Sequence, residues 1–332
     1  MKIAEKKIIS SLMNKGYIKS VNDVLSIKHI NVGLINYLFS IRLKNRDLIA
    51  KLARNFCRFA PDIRINKNRL EKEVQAINLF HSLIKTNQFP KIEYYDKKNS
   101  VLMMKKLPDD YKLLDEAIFN AVLDLKLPKK LGAFLAELHN ATAGNKAIRA
   151  QFGDNGMLVD FKFPVLYENI TNDPIIIKEI DILKNDLLSN KICLIHSDFK
   201  PNNILSTNKD FCVIDFEQSH YGDPALDICY TPAIYFLAMM RNYNKKEDYF
   251  YCIESFWKAY KRMSKFKNFS RLEKNSLRHF GVIILSRMFG MTKINSLQKP
   301  IIKNLVRALS KKLILGGIDS FSDIKSGIKR FN

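Results

Sequence analysis

The sequence is poor in cysteine. Its 332 residues include five, widely spaced and without a C-x-x-C pair: Cys57, Cys193, Cys212, Cys229 and Cys252. An odd, scattered set of this kind excludes a disulfide framework and offers no zinc-site spacing. It is typical of reduced thiols in a cytosolic protein, so we expect a cytoplasmic location.

Long hydrophobic runs are also missing. The most apolar segments, such as "YTPAIYFLAMM", are too short for a membrane-spanning helix, which needs about 20 apolar residues. The first residues, "MKIAEKKIISSLMNK", are interrupted by charges and lack the apolar centre of a signal peptide. These absences predict a soluble protein without a transmembrane segment.

Acidic residues are scarce relative to basic ones. The chain has 55 Lys and Arg against 33 Asp and Glu, a net charge of +22, and residues 258–330 hold 18 basic side chains against three acidic ones. Within them, four basic residues recur every four positions and predict one stripe along a helix: Lys299, Lys303, Arg307 and Lys311. A solvated helix face is the simpler interpretation. Contact with an anionic membrane surface is the alternative, and no RNA-binding signature supports nucleic acid.

The order of predicted elements indicates an α+β fold. Alternating segments "NYLFSIRL" and "LIAKLA" predict strands, "NRLEKEVQAINLFHSLIK" predicts an amphipathic helix, and "SVLMMKKL" predicts a further strand. A mostly helical remainder follows, interrupted by strands at 192–195 and 211–216, which we expect to form one hairpin. There is no β-α-β alternation and no G-x-G-x-x-G, so a dinucleotide-binding sheet is not expected. We therefore divide the chain into a first domain, residues 1–105, and a second, residues 106–332.

Polar residues cluster between the two late strands. "HSDFKPNNIL" carries Asp198 and Asn203, and the next strand leads into "VIDFEQSHYGDPALD" with Asp215 and Asp227. A single Asp beside a Pro-Asn-Asn turn is usually a turn residue. The joint pattern favours a catalytic loop instead, because two strands joined by a turn would bring Asp198, Asn203 and Asp215 to one edge. Carboxylate and amide oxygens of this kind suit Mg²⁺.

These two segments resemble the catalytic loop H-R-D-x-x-x-x-N and the metal-binding D-F-G of the protein-kinase-like superfamily. The G-D-P-x-x-D that follows makes the chain more similar to the aminoglycoside phosphotransferase and choline kinase branch, whose members phosphorylate small molecules. The resemblance is strong over residues 191–228 and weaker over 33–106. It implies a two-lobed protein-kinase-like fold, with a small antiparallel-sheet N-lobe and a larger, mainly helical C-lobe, and the use of ATP and Mg²⁺.

The resemblance also implies roles for individual residues of the C-lobe. Asp198 would orient the acceptor hydroxyl and take its proton, and Lys200 would steady the transferred phosphate. Asn203 and Asp215 would hold Mg²⁺ on the ATP phosphates. Asp227 would tie the loop to the following helix through buried hydrogen bonds.

In the N-lobe the resemblance implies nucleotide contacts. Lys51 in "LIAKLA" matches the strand lysine that neutralises ATP phosphates, although a solvent-facing lysine is the plain alternative. Glu73 is its expected partner, because it directly precedes the apolar helix face, and Glu71 is the second choice.

Other nucleotide contacts are expected on either side of this lysine. The segment "NVGLINYLF" would cover the phosphates, with Gly33 allowing backbone amides to approach. A single glycine makes a poor loop of this type, and Asn36 matches the branch better. Met104 and Lys106 would lie on the strand that links the lobes and binds adenine.

The acceptor should be a small molecule. Only residues 218–222 separate the metal-binding segment from "DPALD", which is too short for the activation segment that holds a peptide in protein kinases. The basic C-terminal third argues against polycationic aminoglycosides, and a sugar or another neutral metabolite stays open. Choline would need aromatic faces and a carboxylate. Glu217 could supply the carboxylate. The aromatic faces could come from five residues whose other interpretation is core: Tyr235, Phe236, Phe256, Trp257 and Tyr260.

Two questions stay open at the level of sequence. Glu217 stands where protein kinases carry Gly, and it could be a second metal ligand or a contact to a cationic acceptor. The whole chain could also be a catalytically silent kinase-fold module that binds an anionic partner through its basic C-terminal helices.

Overall fold

The computed structural model describes residues 3–31, 33 and 35–329, and its chain divides into two compact units. The sheet unit comprises residues 1–111 and 212–218, and the helical unit comprises residues 112–211 and 219–332. An antiparallel sheet near the N-terminus and a mostly helical remainder confirm the predicted α+β class. The functional division at residue 105 stays a prediction.

The sheet unit contains one five-stranded antiparallel sheet in the order β1-β2-β3-β5-β4. Its elements are α1 (Ile3–Asn14), β1 (Val24–Ile30), β2 (Asn36–Leu43), β3 (Asp47–Ala53), α2 (Arg69–Leu83), β4 (Ile92–Asp96) and β5 (Val101–Lys105). The predicted strands at "NYLFSIRL" and "LIAKLA" and the predicted helix are therefore confirmed.

Apolar side chains from one face of the sheet form the core of this unit. Ile8 and Leu12 of α1 are fully buried together with Ile41, Leu48 and Met103 of the sheet. Burying each such side chain contributes about 1.5–3 kcal/mol. The core thus holds β3 rigidly, and with it any polar side chain that β3 carries.

Helix α2 packs against the segment that follows β9 (Phe211–Val213). Phe80 of α2 and Phe89 both contact the ring of Phe216, with ring centroids 5.8 Å apart in each case. The amide of Val213 also donates to the carbonyl of Gln88 at 2.9 Å. These contacts fix residues 215–217 beside α2 inside the sheet unit.

The helical unit is built on nine helices and four short strands among the residues described. The helices are α3 (Leu114–Phe119), α4 (Leu127–Thr142), α5 (Lys146–Phe152), α6 (Pro174–Ser189), α7 (Ala225–Arg241), α8 (Lys246–Met263), α9 (Phe269–Phe289), α10 (Pro300–Ile314) and α11 (Ile324–Lys329). The strands are β6 (Lys112–Leu113), β7 (Cys193–Ile195), β8 (Ile204–Ser206) and β10 (His220–Gly222).

The strands around the polar segment pair differently from our expectation. β7 pairs antiparallel with β10, with Ile195 opposite His220, and β8 pairs with β6. The predicted hairpin of strands 192–195 and 211–216 is therefore wrong. Strands this short carry no alternation that could specify a partner, so the pairing depends on the helices packed around them.

Aromatic residues after residue 227 form the core of the helical unit. Tyr235, Phe236 and Phe256 are at most 2% exposed, and the ring of Trp257 stacks on that of Tyr260 with centroids 5.9 Å apart. Helices α4 and α8 approach closely at Gly132. A Cβ at this position would lie 2.1 Å from the Phe256 carbonyl oxygen, so only glycine fits there. These aromatic side chains are therefore core residues of the helical unit.

The basic stripe lies on α10, as predicted. Lys299, Arg307 and Lys311 are exposed, and Lys311 pairs with Asp173 at 2.8 Å. The apolar residues between the basic ones predict a face toward the core, but one of them, Ile301, is 77% exposed. None of the described helices is long and apolar enough to cross a membrane.

A π-helical segment, Leu158–Tyr167, packs on α9. The hydroxyl of Tyr167 lies 2.9 Å from Nδ1 of His279, and both side chains are buried. Burial, with a smaller contribution from Arg278, lowers the pKa of His279 to about 3. The contact therefore joins the two elements through an uncharged imidazole.

We expect His279 to make the protein less stable in mild acid. Between pH 6.5 and pH 3 the unfolded chain binds one more proton at this residue than the folded chain, so stability falls as pH drops through that window. From pH 7 to pH 5 the loss should be roughly 2 kcal/mol. Urea denaturation at both pH values should show this loss reduced in His279→Gln.

The matched control is Tyr167→Phe, which removes the hydrogen bond but keeps the buried imidazole. It should lower stability at both pH values and keep the wild-type difference between them. If His279→Gln loses as much stability between pH 7 and pH 5 as the wild type, this pH dependence does not come from His279.

Candidate functional site

Lys51 lies at the centre of a buried ion cluster in the sheet unit. It is 4% exposed on β3, and its Nζ is 2.7 Å from Glu73 Oε2 and 2.5 Å from Asp215 Oδ1. Glu217 Oε2 lies 3.5 Å from the same nitrogen. The structure therefore pairs Lys51 with Glu73, whereas Glu71 pairs with Lys97. A solvent-facing lysine is excluded.

The charges in this cluster shift one another's pKa values. Burial disfavours the ammonium of Lys51, but the carboxylates of Asp215, Glu217 and Glu73 outweigh burial and raise its pKa. Burial raises the pKa of Glu73 to about 7, against the lowering effect of Lys51. Lys51 thus stays a permanent cation among three acidic groups.

Arg69, at the start of α2, connects the segments around this cluster. Its Nε donates to Glu217 at 3.1 Å, and its Nη2 donates to Asn36 Oδ1 at 2.8 Å and to the carbonyl of Ile35. Its Nη1 donates to the carbonyls of Arg54 and Asn66, each at 2.9 Å. Five hydrogen bonds match the five N–H donors of a guanidinium.

Glu217 has a role that neither sequence interpretation foresaw. It is 1% exposed, and both its oxygens accept from Asn36 Nδ2, at 2.8 and 2.9 Å, while Oε2 also accepts from Arg69. It therefore anchors the first residue of β2 to α2. No sequence pattern points to Arg69, since one arginine at the start of a lysine-rich helix is not distinctive.

The other expected nucleotide contacts lie in the sheet unit outside this cluster. Gly33 is exposed and has a φ of +85°, a conformation that favours glycine. Its neighbours at positions 32 and 34 lie outside the described residues. Met104 pairs with Ile49 in the sheet, and the Lys106 amide donates to the Asp47 carbonyl at 3.1 Å. Binding of adenine by Met104 and Lys106 stays a prediction.

A second polar cluster lies in the helical unit, in the turn after β7. The carboxylate of Asp227, fully buried on α7, accepts from the amides of His196 and Ser197, each at 2.7 Å. It also lies 3.2 Å from His139 Nε2. Ser197 has a φ of +69°, which is costly for a non-glycine residue, so Asp227 stabilises a strained turn. These are the hydrogen bonds that we expected of Asp227.

This turn presents Asp198 to two lysines. Lys200 Nζ lies 2.8 Å from Oδ2 and Lys162 Nζ lies 3.3 Å from Oδ1. Burial alone would raise the pKa of Asp198, but the two ammonium groups, Lys200 foremost, hold it well below its usual range. Asp198 raises the pKa of Lys200 against the opposing effect of burial. Sequence reasoning missed Lys162, which lies in the π-helical segment away from any motif.

Some oxygen atoms stay available for a metal ion in each cluster. The Nδ2 of Asn203 donates to Asp198 Oδ2 at 2.8 Å, which leaves its amide oxygen for a ligand. Asp215 has a φ of +71° and a side chain 31% exposed, and only its Oδ1 is engaged among the described residues. Glu73, Asp215 and Glu217 group closely, but both oxygens of Glu217 already accept hydrogen bonds, from Asn36 and Arg69.

Comparison with protein families gives one match. The family model described as "Phosphotransferase enzyme family" matches residues 26–242, which is more than half of the chain. The matched range includes both clusters. No curated protein sequence matches the chain.

Solved structures with similar folds are distant in sequence. An amicoumacin kinase in complex with AMP-PNP, Ca²⁺ and Ami aligns with a TM-score of 0.59 at 14% identity, covering 97% of this chain and 98% of that one. Spectinomycin phosphotransferase with ADP and spectinomycin gives 0.55 at 14%, covering 98% and 93%. A choline kinase from Cryptosporidium parvum gives 0.50 at 14%, covering 98% and 94%. At this identity the likeness concerns the fold, and it confirms the kinase-like class.

We expect Arg69→Lys to be strongly destabilising although it keeps the charge. An ammonium has three donors and no planar fork, so buried carbonyls and the Glu217 carboxylate would lose partners. Each buried acceptor left without a donor costs about 1–3 kcal/mol, so the loss of two donors should cost several kcal/mol. Urea denaturation followed by circular dichroism measures the loss.

Arg42→Lys is the matched control, because Arg42 is 59% exposed and its pair with Asp47 lies at the surface. Its effect should stay within about 0.5 kcal/mol. If Arg69→Lys is as stable as the wild type, the five hydrogen bonds do not hold the segments together.

Proposed function

Because the chain belongs to the phosphotransferase enzyme family, we propose that it is a kinase that transfers the γ-phosphate of ATP to a hydroxyl group of a small molecule. One observation carries the proposal. Asp198 is a buried carboxylate that two lysines hold ionised, and the loop that carries Asp198 also presents Asn203. Buried carboxylates kept charged in this way are functional-site candidates. Five free, buried cysteines agree with a cytoplasmic location.

The sheet unit would bind the nucleotide phosphates. Lys51 would contact them, and Glu73 would keep its ammonium in place. Asn203 and Asp215 would hold Mg²⁺ through the oxygens left available, and their oxygen chemistry fits that ion. When bound, Mg²⁺ neutralises charge that develops on the phosphate oxygens.

Asp198 would act on the acceptor. Its strongly lowered pKa makes it a weak base, so its first role is to accept a hydrogen bond from the acceptor hydroxyl and align the oxygen for attack. As the new O–P bond forms and the bond to ADP breaks, the hydroxyl proton becomes acidic and passes to Asp198. A loose transition state needs little basicity before that point. Lys200 would stabilise the charge of the transferred group.

A small acceptor is favoured over a peptide. The segment after Glu217 continues directly into β10, whose three residues are buried and paired with β7. No exposed segment is left there for peptide binding within the described chain. Structures of relatives with spectinomycin and with amicoumacin bound support small-molecule acceptors. A silent module binding through α10 has less support, since Lys311 of the stripe is already paired.

We expect Asp198→Asn to abolish most of the transfer. The amide keeps the shape but cannot take the proton, and losses of this kind are about 10²–10⁴-fold in kcat. The assay measures ATP-dependent phosphorylation across a panel of hydroxyl metabolites. Asp181→Asn, at an exposed position on α6, is the charge-matched control and should behave like wild type. An unimpaired Asp198→Asn enzyme would defeat the assigned role.

We expect ATP with Mg²⁺ to stabilise the folded protein. Nucleotide at 100 times its dissociation constant should add about 2.7 kcal/mol to the free energy of unfolding. EDTA should remove the part of this stabilisation that depends on Mg²⁺. Asp215→Asn should lack the same part without EDTA, because one oxygen ligand of the ion is gone. No shift at saturating nucleotide, together with salt-sensitive binding to anionic vesicles, would favour the silent module.

A further inference from the structure

A group of cations surrounds Tyr230 in the helical unit. Lys162 Nζ lies 5.2 Å and Lys200 Nζ 5.7 Å from the centre of the Tyr230 ring. Arg287 Nη2 donates to the Tyr230 hydroxyl at 3.1 Å. Three elements supply these side chains: the π-helical segment, the loop after β7, and α9. The cations therefore converge on one place beside Asp198.

The carboxylates nearby do not balance these charges. Asp198 pairs with both lysines, and half-buried Asp115 lies within electrostatic reach of Lys200. Within the described part of the chain, no carboxylate oxygen lies within 4.0 Å of Arg287. Even with Asp115 counted, three cations face two anions. Uncompensated charge in a mostly buried site is costly unless a ligand pairs with it.

The guanidinium of Arg287 is held in place with a donor to spare. Its Nη1 donates to Thr292, and its Nη2 donates to Tyr230. Its Nε is buried and has no hydrogen-bond partner among the described residues. Buried donors are normally paired, so an orphaned one calls for an explanation. Beside a surplus of cations, an acceptor on a bound anion would supply it. The edge formed by Nε and Nη2 suits the two oxygens of a carboxylate or phosphate.

We propose that the acceptor is an anion: a hydroxyl compound that also carries a carboxylate or phosphate group, which Arg287 and Lys162 bind beside Tyr230. The proposal rests on the proposed phosphotransferase function. The bound anion would place its hydroxyl at Asp198, and its charge would complete the pairing of the cations. This acceptor class differs from the cationic and neutral acceptors considered from the sequence.

The same observations disfavour a cationic acceptor. Choline or an aminoglycoside would enter a site in which cations already outnumber carboxylates. Glu217, the carboxylate considered for a cationic acceptor, is buried in the sheet unit and already accepts hydrogen bonds from Asn36 and Arg69. The aromatic side chains considered for choline are core residues, including Trp257 and Tyr260.

The test compares matched acceptors that differ in charge. The probes are glycerol, glycerate, glycerol 3-phosphate, choline and kanamycin, each measured by thermal shift at constant ionic strength and by phosphate transfer from ATP. We expect glycerate or glycerol 3-phosphate, and neither cation, to stabilise the wild type and accept phosphate. Arg287→Met should weaken binding of the anionic probe at least about tenfold. Arg287→Lys, which keeps the charge, should bind it with intermediate affinity.

Controls separate this proposal from the proposed function. Arg271→Met removes the same charge from an exposed position on α9 and should bind the anions like wild type. Stabilisation by ATP with Mg²⁺, but by neither anion, would overturn the anionic acceptor and leave the kinase function standing. Preference for glycerol or a cation would also overturn it, as would an equal loss of ATP and anion binding in Arg287→Met. Failure of ATP itself to bind or react would contradict the proposed function instead.

Discussion

The buried guanidinium of Arg69 is the interaction on which the site in the sheet unit depends. Its five donors hold the start of β2, the end of β3, the approach to α2 and the segment at Glu217 in one arrangement. Two of these segments carry groups of the cluster around Lys51. Because a planar fork fixes direction as well as distance, the cluster is positioned by geometry and not only by charge. The same contacts hold Asn36, the first residue of β2, to Arg69 and Glu217.

In the helical unit the corresponding constraint is a buried carboxylate. Asp227 satisfies two consecutive amides of a turn whose central residue, Ser197, has an unfavourable positive φ. The strain is tolerated because α7, which carries Asp227, is buried almost throughout its length. The turn in consequence directs Asp198 toward Lys162 and Lys200.

Motif residues and single elements could be predicted from the sequence, whereas pairing and buried partners could not. Strand alternation in "NYLFSIRL" and the loop carrying Asp198 were recognisable, because period and spacing are local properties. The pairing of β7 with β10 was missed, since three-residue strands do not specify a register. Lys162 and Arg287 were missed for a related reason. In a lysine-rich chain, a functional cation has the same local sequence as a solvated one, and only burial distinguishes the two.

The two units differ in the sign of their uncompensated charge. Around Lys51, three carboxylates face two buried cations, and around Asp198 the cations are in excess. Surplus carboxylate would suit the metal-dependent nucleotide binding that we propose for the sheet unit, because the ion would bring positive charge with it. Surplus cation would suit the anionic acceptor that we propose for the helical unit, where fixed positive charge would also stabilise a phosphate in transfer. The overall basicity of the chain therefore has two components: a solvated surface, as on α10, and a small buried set. Only the buried set has lost its water, and so only there does an unmatched charge constrain what the protein binds.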